Sequence, residues 1–264
     1  MHSAGQVVRA ALRAAARACV PGASTASVDA AAAGVIAAFR AEPLFLNHRM
    51  HSEGPSFPAS TCVSVDDEIV HGVPGPRRLR DGELVSIDCG VRLRGWCADS
   101  AVTVPVGGAS MTEPARLRML EHAERLLEQA IESIAPGIAW SQIAERLERG
   151  ARSRGYGIVT DYMGHGIGRD LHEAPQAPNA VLPGFREHDD FTLRPGMTLA
   201  IEPMLVLGGE PVRTRTLEDG WTVVVADGRP ACHVEHTVAV THSGVRVLTG
   251  PLRPTLREEC AFAR

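Results

Sequence analysis

Apolar and polar positions alternate between two rhythms along the chain. Near the start, VVRAALRAAARACV sets alanine, valine and leucine among three arginines, which reads as an alanine-rich helix over about residues 5–19. A second helical stretch covers about 27–40, and Pro21-Gly22 separates the two. Beyond a polar loop, HRMHSEGPSFP, the spacing shifts to period two in STCVSVDDEIV and again in ELVSIDCGVRLRGWCADSAVTVPV. The longer segment predicts a hairpin turning near Arg94-Gly95, where valine, isoleucine and tryptophan flank the glycine. Helical spacing returns over about 113–134 and 139–153 with Pro136-Gly137 between them, and strand and loop fill the remainder.

This order of helices followed by strands occurs twice. VPGASTASV at 20–28 is similar to APGIAWSQI at 135–143, with the proline-glycine pairs 115 residues apart; RDGELVSID at 80–88 is similar to RPGMTLAIE at 194–202, offset by 114. Either match alone is an ordinary turn signal, but nearly equal offsets for a helical and a strand segment imply duplicated halves. Both strand copies end on an acid inside an apolar run, Asp88 and Glu202, and each half carries a second acid at the start of a later strand, Asp99 in ADSAVTV and Glu235 in VEHTVAV. Carboxylates are rarely buried unless paired or bound, so four of them converging would repel one another until positive charge offsets them.

Composition narrows the classes. The 264 residues carry a net charge of −4, 44% are hydrophobic, and no lysine-arginine tract is dense enough to serve as a nucleic-acid footprint. The six cysteines, at 19, 62, 89, 97, 232 and 260, form no CxxC pair and do not resemble a secreted disulfide framework, so a reducing cytoplasm is expected. The arginines in the first apolar stretch argue against both an export signal and a membrane span.

The segment YMGHGIGRDLHEAP, residues 162–175, places a glycine at every second position around His165. A dinucleotide fingerprint would require a helix after the glycines, whereas HEAPQAP follows with prolines at 175 and 178. The alternative is close packing around a metal-binding histidine. Four carboxylates and one imidazole suit two divalent cations, and hard oxygen donors with one nitrogen favour manganese, iron, cobalt or zinc. Such a site activates water and polarises a carbonyl, and hydrolysis then needs an acid-base partner and an oxyanion donor. His172 and His71 are candidates for those outer positions; His172 also reads as a surface histidine beside Glu173, and His71 as an inert residue in a turn after a strand.

At these residues the chain resembles a known family. VSVDDEIVHGVP, VSIDCG, ADSA, GHGIGRDLHEAP, LRPGMTLAIEP and EHT occur in the order and approximate spacing of type I methionine aminopeptidases, of the creatinase-like or pita-bread metallopeptidase superfamily, over nearly the whole length. The resemblance implies an α+β pita-bread fold: a single catalytic domain over 1–264 whose pseudo-symmetric halves, about 1–108 and 109–250, share a central antiparallel sheet covered by helices. It implies that Asp88, Asp99, His165, Glu202 and Glu235 ligate two divalent ions, with Asp99 and Glu235 bridging. Glu202 matches the group that takes a proton from water, His172 the one that stabilises the oxyanion, and His71 the one near the scissile amide. Cys62 matches a cysteine of the methionine pocket, and Phe57 stands where tyrosine is common; both also read as simple core residues. His233 stands where many bacterial members have glutamine, adding an imidazole close to metal or substrate.

The implied activity is removal of the initiator methionine from new polypeptides whose second residue is small, with transient proximity to the ribosome and no nucleic-acid or membrane partner. The implied oligomeric state is a monomer. Proline-specific relatives carry a substantial extra N-terminal domain, for which the residues before Asp88 leave no room. The polar, proline-bearing segment 175–193 reads as a surface loop near the entrance.

Overall fold

The computed structural model describes residues 1–50 and 54–250, so Cys260 lies outside the described residues. Two helices open it, α1 (His2–Ala18) and α2 (Thr25–Ala38), followed by β1 (Glu42–Pro43), β2 (Cys62–Val65), β3 (Glu68–Val70), β4 (Leu84–Leu93) and β5 (Trp96–Pro105). Helices α3 (Pro114–Glu132) and α4 (Trp140–Ser153) come next, then β6 (Gly157–Ile158), β7 (Gly164–Gly166), β8 (Glu173–Ala177) and the one-turn α5 (Phe185–His188). The chain continues through β9 (Thr198–Ile201), β10 (Met204–Val206), β11 (Thr214–Thr216), β12 (Val223–Val225), β13 (Ala231–His233), β14 (His236–Thr241) and β15 (Gly244–Val247).

The class is α+β, with antiparallel ladders covered by helices. Strand β4 organises a four-stranded sheet: β5 pairs along its whole length on one side, while β2 and β1 share the other. A five-stranded sheet runs in the order β15-β14-β9-β7-β8, and two three-stranded sheets run β13-β10-β6 and β11-β12-β3. The β4–β5 hairpin turns at Arg94 and Gly95, both at positive φ (52° and 76°), as a two-residue turn matched to strand twist requires.

Each helix pair covers its own sheet. Val7, Val8, Ala11, Leu12 and Ala15 fall on one stripe of α1 and, with Val28, Ala32 and Ile36 of α2, bury against Val85, Ile87 and Val91 of β4. On the other side Met119, Leu120 and Leu127 of α3 and Trp140, Ile143 and Leu147 of α4 bury against Leu199 and Ile201 of β9 and Val238 of β14. Each such large side chain contributes about 1.5–3 kcal/mol. Strand alternation then points the intervening side chains away from the helices: Ile87 and Cys89 join the α1–α2 core, and Asp88 between them faces the opposite side.

The two proline-glycine turns make the same hydrogen bonds. Gly22 N–H donates to Leu79 O (2.8 Å) and Leu79 N–H to Ala23 O (2.9 Å); Gly137 N–H donates to Leu193 O (2.9 Å) and Leu193 N–H to Ile138 O (2.8 Å). The residue numbers differ by 115 and 114, the offsets seen in the sequence.

Segment 175–193 differs from the surface loop expected. Its first residues complete β8, Phe185–His188 form α5, and Ala177, Ala180, Phe185 and Leu193 are buried in the α3–α4 core. It is tied to the start of α4: Trp140 Nε1–H donates to Pro178 O at 3.0 Å, the indole stacks on Phe191, and Ser141 N–H donates to Asp190 Oδ1 at 2.9 Å. Its scattered apolar residues found a surface to cover, and that burial outweighed the polar, proline-bearing local pattern. No helix among the described residues is long and apolar enough to cross a membrane.

Candidate metal centre

The glycines around His165 act by close approach. A Cβ on Gly164 would lie 2.3 Å from Ala200 O, and one on Gly166 would lie 2.4 Å from Ala174 O, so strands β9 and β8 can close on β7 only because both side chains are missing. His165 between them pairs with Ala200 on one side and Gln176 on the other. Its Nδ1 lies 2.9 Å from Gly166 O, a carbonyl that can only accept, so Nδ1 carries the proton and Nε2 presents its lone pair.

Around that lone pair the structure gathers acids from both sheets. Ligand atoms of Asp99, His165 and Glu235 lie within 4.8 Å of one another, which makes this trio a candidate metal-binding cluster. His165 Nε2 is 3.7 Å from Glu202 Oε1, and His233 Nε2 is 3.7 Å from Glu202 Oε2. Asp88 lies on β4, whose partner β5 carries Asp99; Gly90 pairs with Asp99 in that ladder.

Neutral hydroxyls hold β5 to Glu235 and to strand β14, which follows it. Asp99 N–H donates to Thr237 Oγ1 (2.9 Å), Thr237 Oγ1 donates to Asp99 O (2.7 Å), and Ser100 Oγ donates to Glu235 O (2.5 Å). Thr103 Oγ1 donates to His233 O at 2.7 Å. From the other side Asn179 Nδ2 donates to Glu202 O at 3.2 Å, bringing the 175–193 segment into the support of the site.

The electrostatics call for cations. Burial first, and the charges of Asp99 and Glu202 second, raise Asp88 well above its usual range. Glu235 is raised in the same way by burial and by Asp99, Asp88 and Glu202. Burial and the Asp99 charge push Glu202 to about 8, and burial pushes Asp99 to about 6. Asp88 Oδ1 and Glu235 Oε1 are buried without a hydrogen-bond partner. Buried oxygen donors that are unpaired and mutually repelling, with one imidazole lone pair among them, are a donor set suited to hard or borderline divalent ions. Asp99, His165 and Glu235 therefore form a candidate cluster for such an ion, and Asp88 and Glu202 add donors of the same kind.

An aromatic wall stands beside the acids. Phe57 is 1% exposed and meets Trp221 edge-on at 5.2 Å; Cys62, Ile167 and Leu171 belong to the same apolar cluster. His233 faces Glu202, in the polar part of the site. His71 lies between Trp221 (6.1 Å) and Tyr162 (5.4 Å), with Nδ1 buried and unpartnered. It is held at positive φ (59°), a conformation that costs a non-glycine residue about 1–2 kcal/mol. The next residue, Gly72, packs closely on β2, because a Cβ at that position would meet Val63 O at 2.5 Å. His172 packs edge-on to His165 at 4.4 Å and borders an open cleft of about 370 Å³ lined also by Leu46, His48, Arg92 and Asp170.

These imidazoles stay neutral near pH 7. Burial lowers His71 to about 4 and His233 to about 3, with a smaller push from neighbouring imidazole charge. His172 is lowered to about 4 by the protein packed against its ring and then by His165, His48 and His71.

Reading the sequence missed His48, Trp221, Tyr162 and Asn179. His48 lies 5.6 Å from His172 and 6.2 Å from Trp221, ring to ring. A histidine in a polar loop and an asparagine between prolines and alanines carry no spacing signal, so only the folded chain reveals them.

Comparison with known proteins shows the family. The sequence pattern of metallopeptidase family M24 matches residues 1–242. Methionine aminopeptidase 1 of Mycobacterium tuberculosis is 43% identical over 256 residues, spanning 94% of this chain and 91% of that protein. Methionine aminopeptidase 1 of Bacillus subtilis is 40% identical, spanning 87% and 86%. Among solved structures, a methionine aminopeptidase from Thermotoga maritima superposes with a TM-score of 0.85 at 37% identity over 95% of both chains.

Proposed function

This chain belongs to metallopeptidase family M24, where it stands with the methionine aminopeptidases, and is a metal-dependent hydrolase; we propose that it removes N-terminal methionine from polypeptides whose second residue is small. The observation that carries this reading is the placement of the unpaired Asp88 Oδ1 and Glu235 Oε1, with Asp99, His165 and Glu202, beside an apolar wall of Phe57, Cys62 and Trp221.

In this reading Asp88, Asp99, His165, Glu202 and Glu235 hold two divalent ions, of manganese, iron, cobalt or zinc. The chemistry such ions supply when bound is polarisation of the scissile carbonyl and acidification of water. Glu202 presents one oxygen toward His165 and keeps the other to accept a proton, which it returns to the departing amine. His172, neutral with its ring at the cleft, donates a hydrogen bond to the carbonyl oxygen as charge develops there. His71 stands where the amide of the second residue would pass, its orientation fixed by Tyr162 and Trp221. Phe57, Cys62 and Trp221 surround the thioether side chain and exclude water from it. The cleft beyond His172 takes the chain after the cut. The substrates are nascent polypeptides, met near the ribosome in the cytoplasm, and the enzyme works as a monomer.

The test offers peptides beginning Met-Ala and Ala-Pro to the metal-loaded protein. Cleavage of the first, with release of free methionine, is expected. Cleavage of the second alone would overturn the assignment, as would full metal occupancy with neither peptide cut.

A further inference from the structure

His233 is among the most constrained side chains in the site, and nothing in the reaction as described employs it. Its backbone is held on both sides: the carbonyl accepts from Thr103 Oγ1 at 2.7 Å, and the N–H donates to Ser86 Oγ and Thr103 Oγ1, each at 3.2 Å. Strand β13 pairs it with Met204, two residues beyond Glu202. The residue is 2% exposed, and its Nε2 is buried with no hydrogen-bond partner. Leaving a buried imidazole nitrogen unpaired costs about 1–3 kcal/mol, so a partner is expected within reach. The group it faces is Glu202 Oε2, 3.7 Å away.

The two imidazoles flanking Glu202 lie at equal distance from its two oxygens, 3.7 Å. His165 has its proton on Nδ1, bonded to Gly166 O, so its Nε2 and Glu202 Oε1 present two lone pairs to the same space, an arrangement that suits a cation between them. On the other side, once bound cations hold the carboxylate ionised, its oxygen only accepts, and a neutral imidazole nitrogen that faces it satisfies both by carrying the proton. We propose that His233 is a positioning residue for Glu202: its Nε2–H donates to Glu202 Oε2 and fixes the carboxylate so that Oε1 stays turned to His165. Closing the present 3.7 Å separation to hydrogen-bond distance takes a shift of about 0.7 Å, within the reach of small side-chain rotations. A glutamine side chain at this position would also end in an N–H donor.

The proposal rests on Glu202 being a ligand and the proton acceptor. It is tested with His233→Ala, His233→Gln, Glu202→Gln and the double variant His233→Ala/Glu202→Gln, by titrating metal-depleted protein with Mn(II) and Co(II) in a calorimeter and by measuring kcat and KM on a Met-Ala peptide. Removing an outer partner of a ligating carboxylate weakens metal affinity or activity by roughly 10–100-fold. His233→Ala should therefore lose roughly 10–100-fold in ion affinity and kcat, with KM changed by no more than about two-fold. His233→Gln should recover most of that loss. In the Glu202→Gln background, His233→Ala should add no further loss of ion affinity, because its effect passes through the carboxylate. If the alanine variant does not fold, His233→Met, of similar bulk and without a donor, takes its place.

Unchanged affinity and kcat in His233→Ala would overturn the proposal. So would a glutamine variant as impaired as the alanine one, or an alanine effect that persists undiminished without the Glu202 carboxylate. Because metal titration needs no substrate, a wild-type protein that cuts no methionine peptide yet shows the expected pattern of affinities would refute the substrate reading and leave this one standing.

Discussion

Replacing Glu202 by glutamine should stabilise the metal-free protein as pH rises while abolishing its activity when metal is restored. The carboxyl of Glu202 is pushed to about 8 from its ordinary value of 4.5 by burial and the Asp99 charge. A folded-state pKa above the unfolded one means that the folded protein holds a proton the unfolded chain has released. The stabilising contribution is complete below about pH 4.5 and is lost as pH rises toward about 8. Integrated from about pH 6.5 to about pH 8, the loss is on the order of 1–2 kcal/mol for this one group. Glutamine does not titrate and escapes it. The lowered pKa values of His71, His172, His233 and His236 change stability with the opposite sign, but both proteins carry them. Glutamine also removes the charge that helps raise Asp88 and Glu235, so the difference between the two curves reports Glu202 together with these two neighbours. The assay is thermal unfolding of chelator-treated wild type and Glu202→Gln at several pH values. The variant should gain on the wild type by roughly 3–6 °C across that range. Adding divalent ions should reverse the order, since cations hold the wild-type carboxylate ionised, and peptide turnover by the doubly metallated variant should stay far below wild type. Parallel curves in the metal-free state would refute the buried, repelled carboxylate. Near-normal turnover by the loaded variant would refute its role as proton acceptor.

Chelation should abolish peptide hydrolysis and lower the melting temperature, with both restored by about two equivalents of divalent ion, followed by calorimetry and activity together. His172→Ala should lower kcat roughly 10²–10³-fold with unchanged circular dichroism, because the residue borders the cleft and supports no core. Asn179→Ala should cost about 1–3 kcal/mol in denaturant unfolding, since it leaves the carbonyls of Glu202 and Tyr162 without their buried donor. Trp140→Ala should cost about 3–5 kcal/mol by the same measurement, through the cavity left under α4 and the lost Trp140–Pro178 hydrogen bond.

The parts of this fold that can be read from the sequence are those decided locally. The β4–β5 hairpin is legible because Arg94-Gly95 supplies the two positive φ angles, and the acids Asp88, Asp99, Glu202 and Glu235 stand out because each interrupts an apolar run. Helix α1 begins at His2, earlier than the expected residue 5, and Gly5 lies inside it because its bare face meets a distant part of the chain: a Cβ there would lie 2.1 Å from Leu248 O. Segment 175–193 was misread because its buried residues, Ala177, Ala180, Phe185 and Leu193, follow neither the helical nor the strand period and gain their meaning only from α4. The aromatic and imidazole wall of His48, Tyr162 and Trp221 was invisible for a similar reason, since its members come from separate loops and share no spacing.

The hydroxyl contacts between β5 and the strand after Glu235 have a consequence for how the site is assembled. Asp88 and Asp99 come from one sheet, His165 from another, and Glu202 from the residue just past β9 of that second sheet; what aligns them is a short zipper of Thr237, Ser100 and Thr103, none of which carries charge. Dissolved salt weakens contacts between ions and barely touches bonds of this kind. High ionic strength will therefore compete for the cations while leaving the frame that receives them in register, and a protein stripped of metal in strong salt should take it up again on dilution without having to refold.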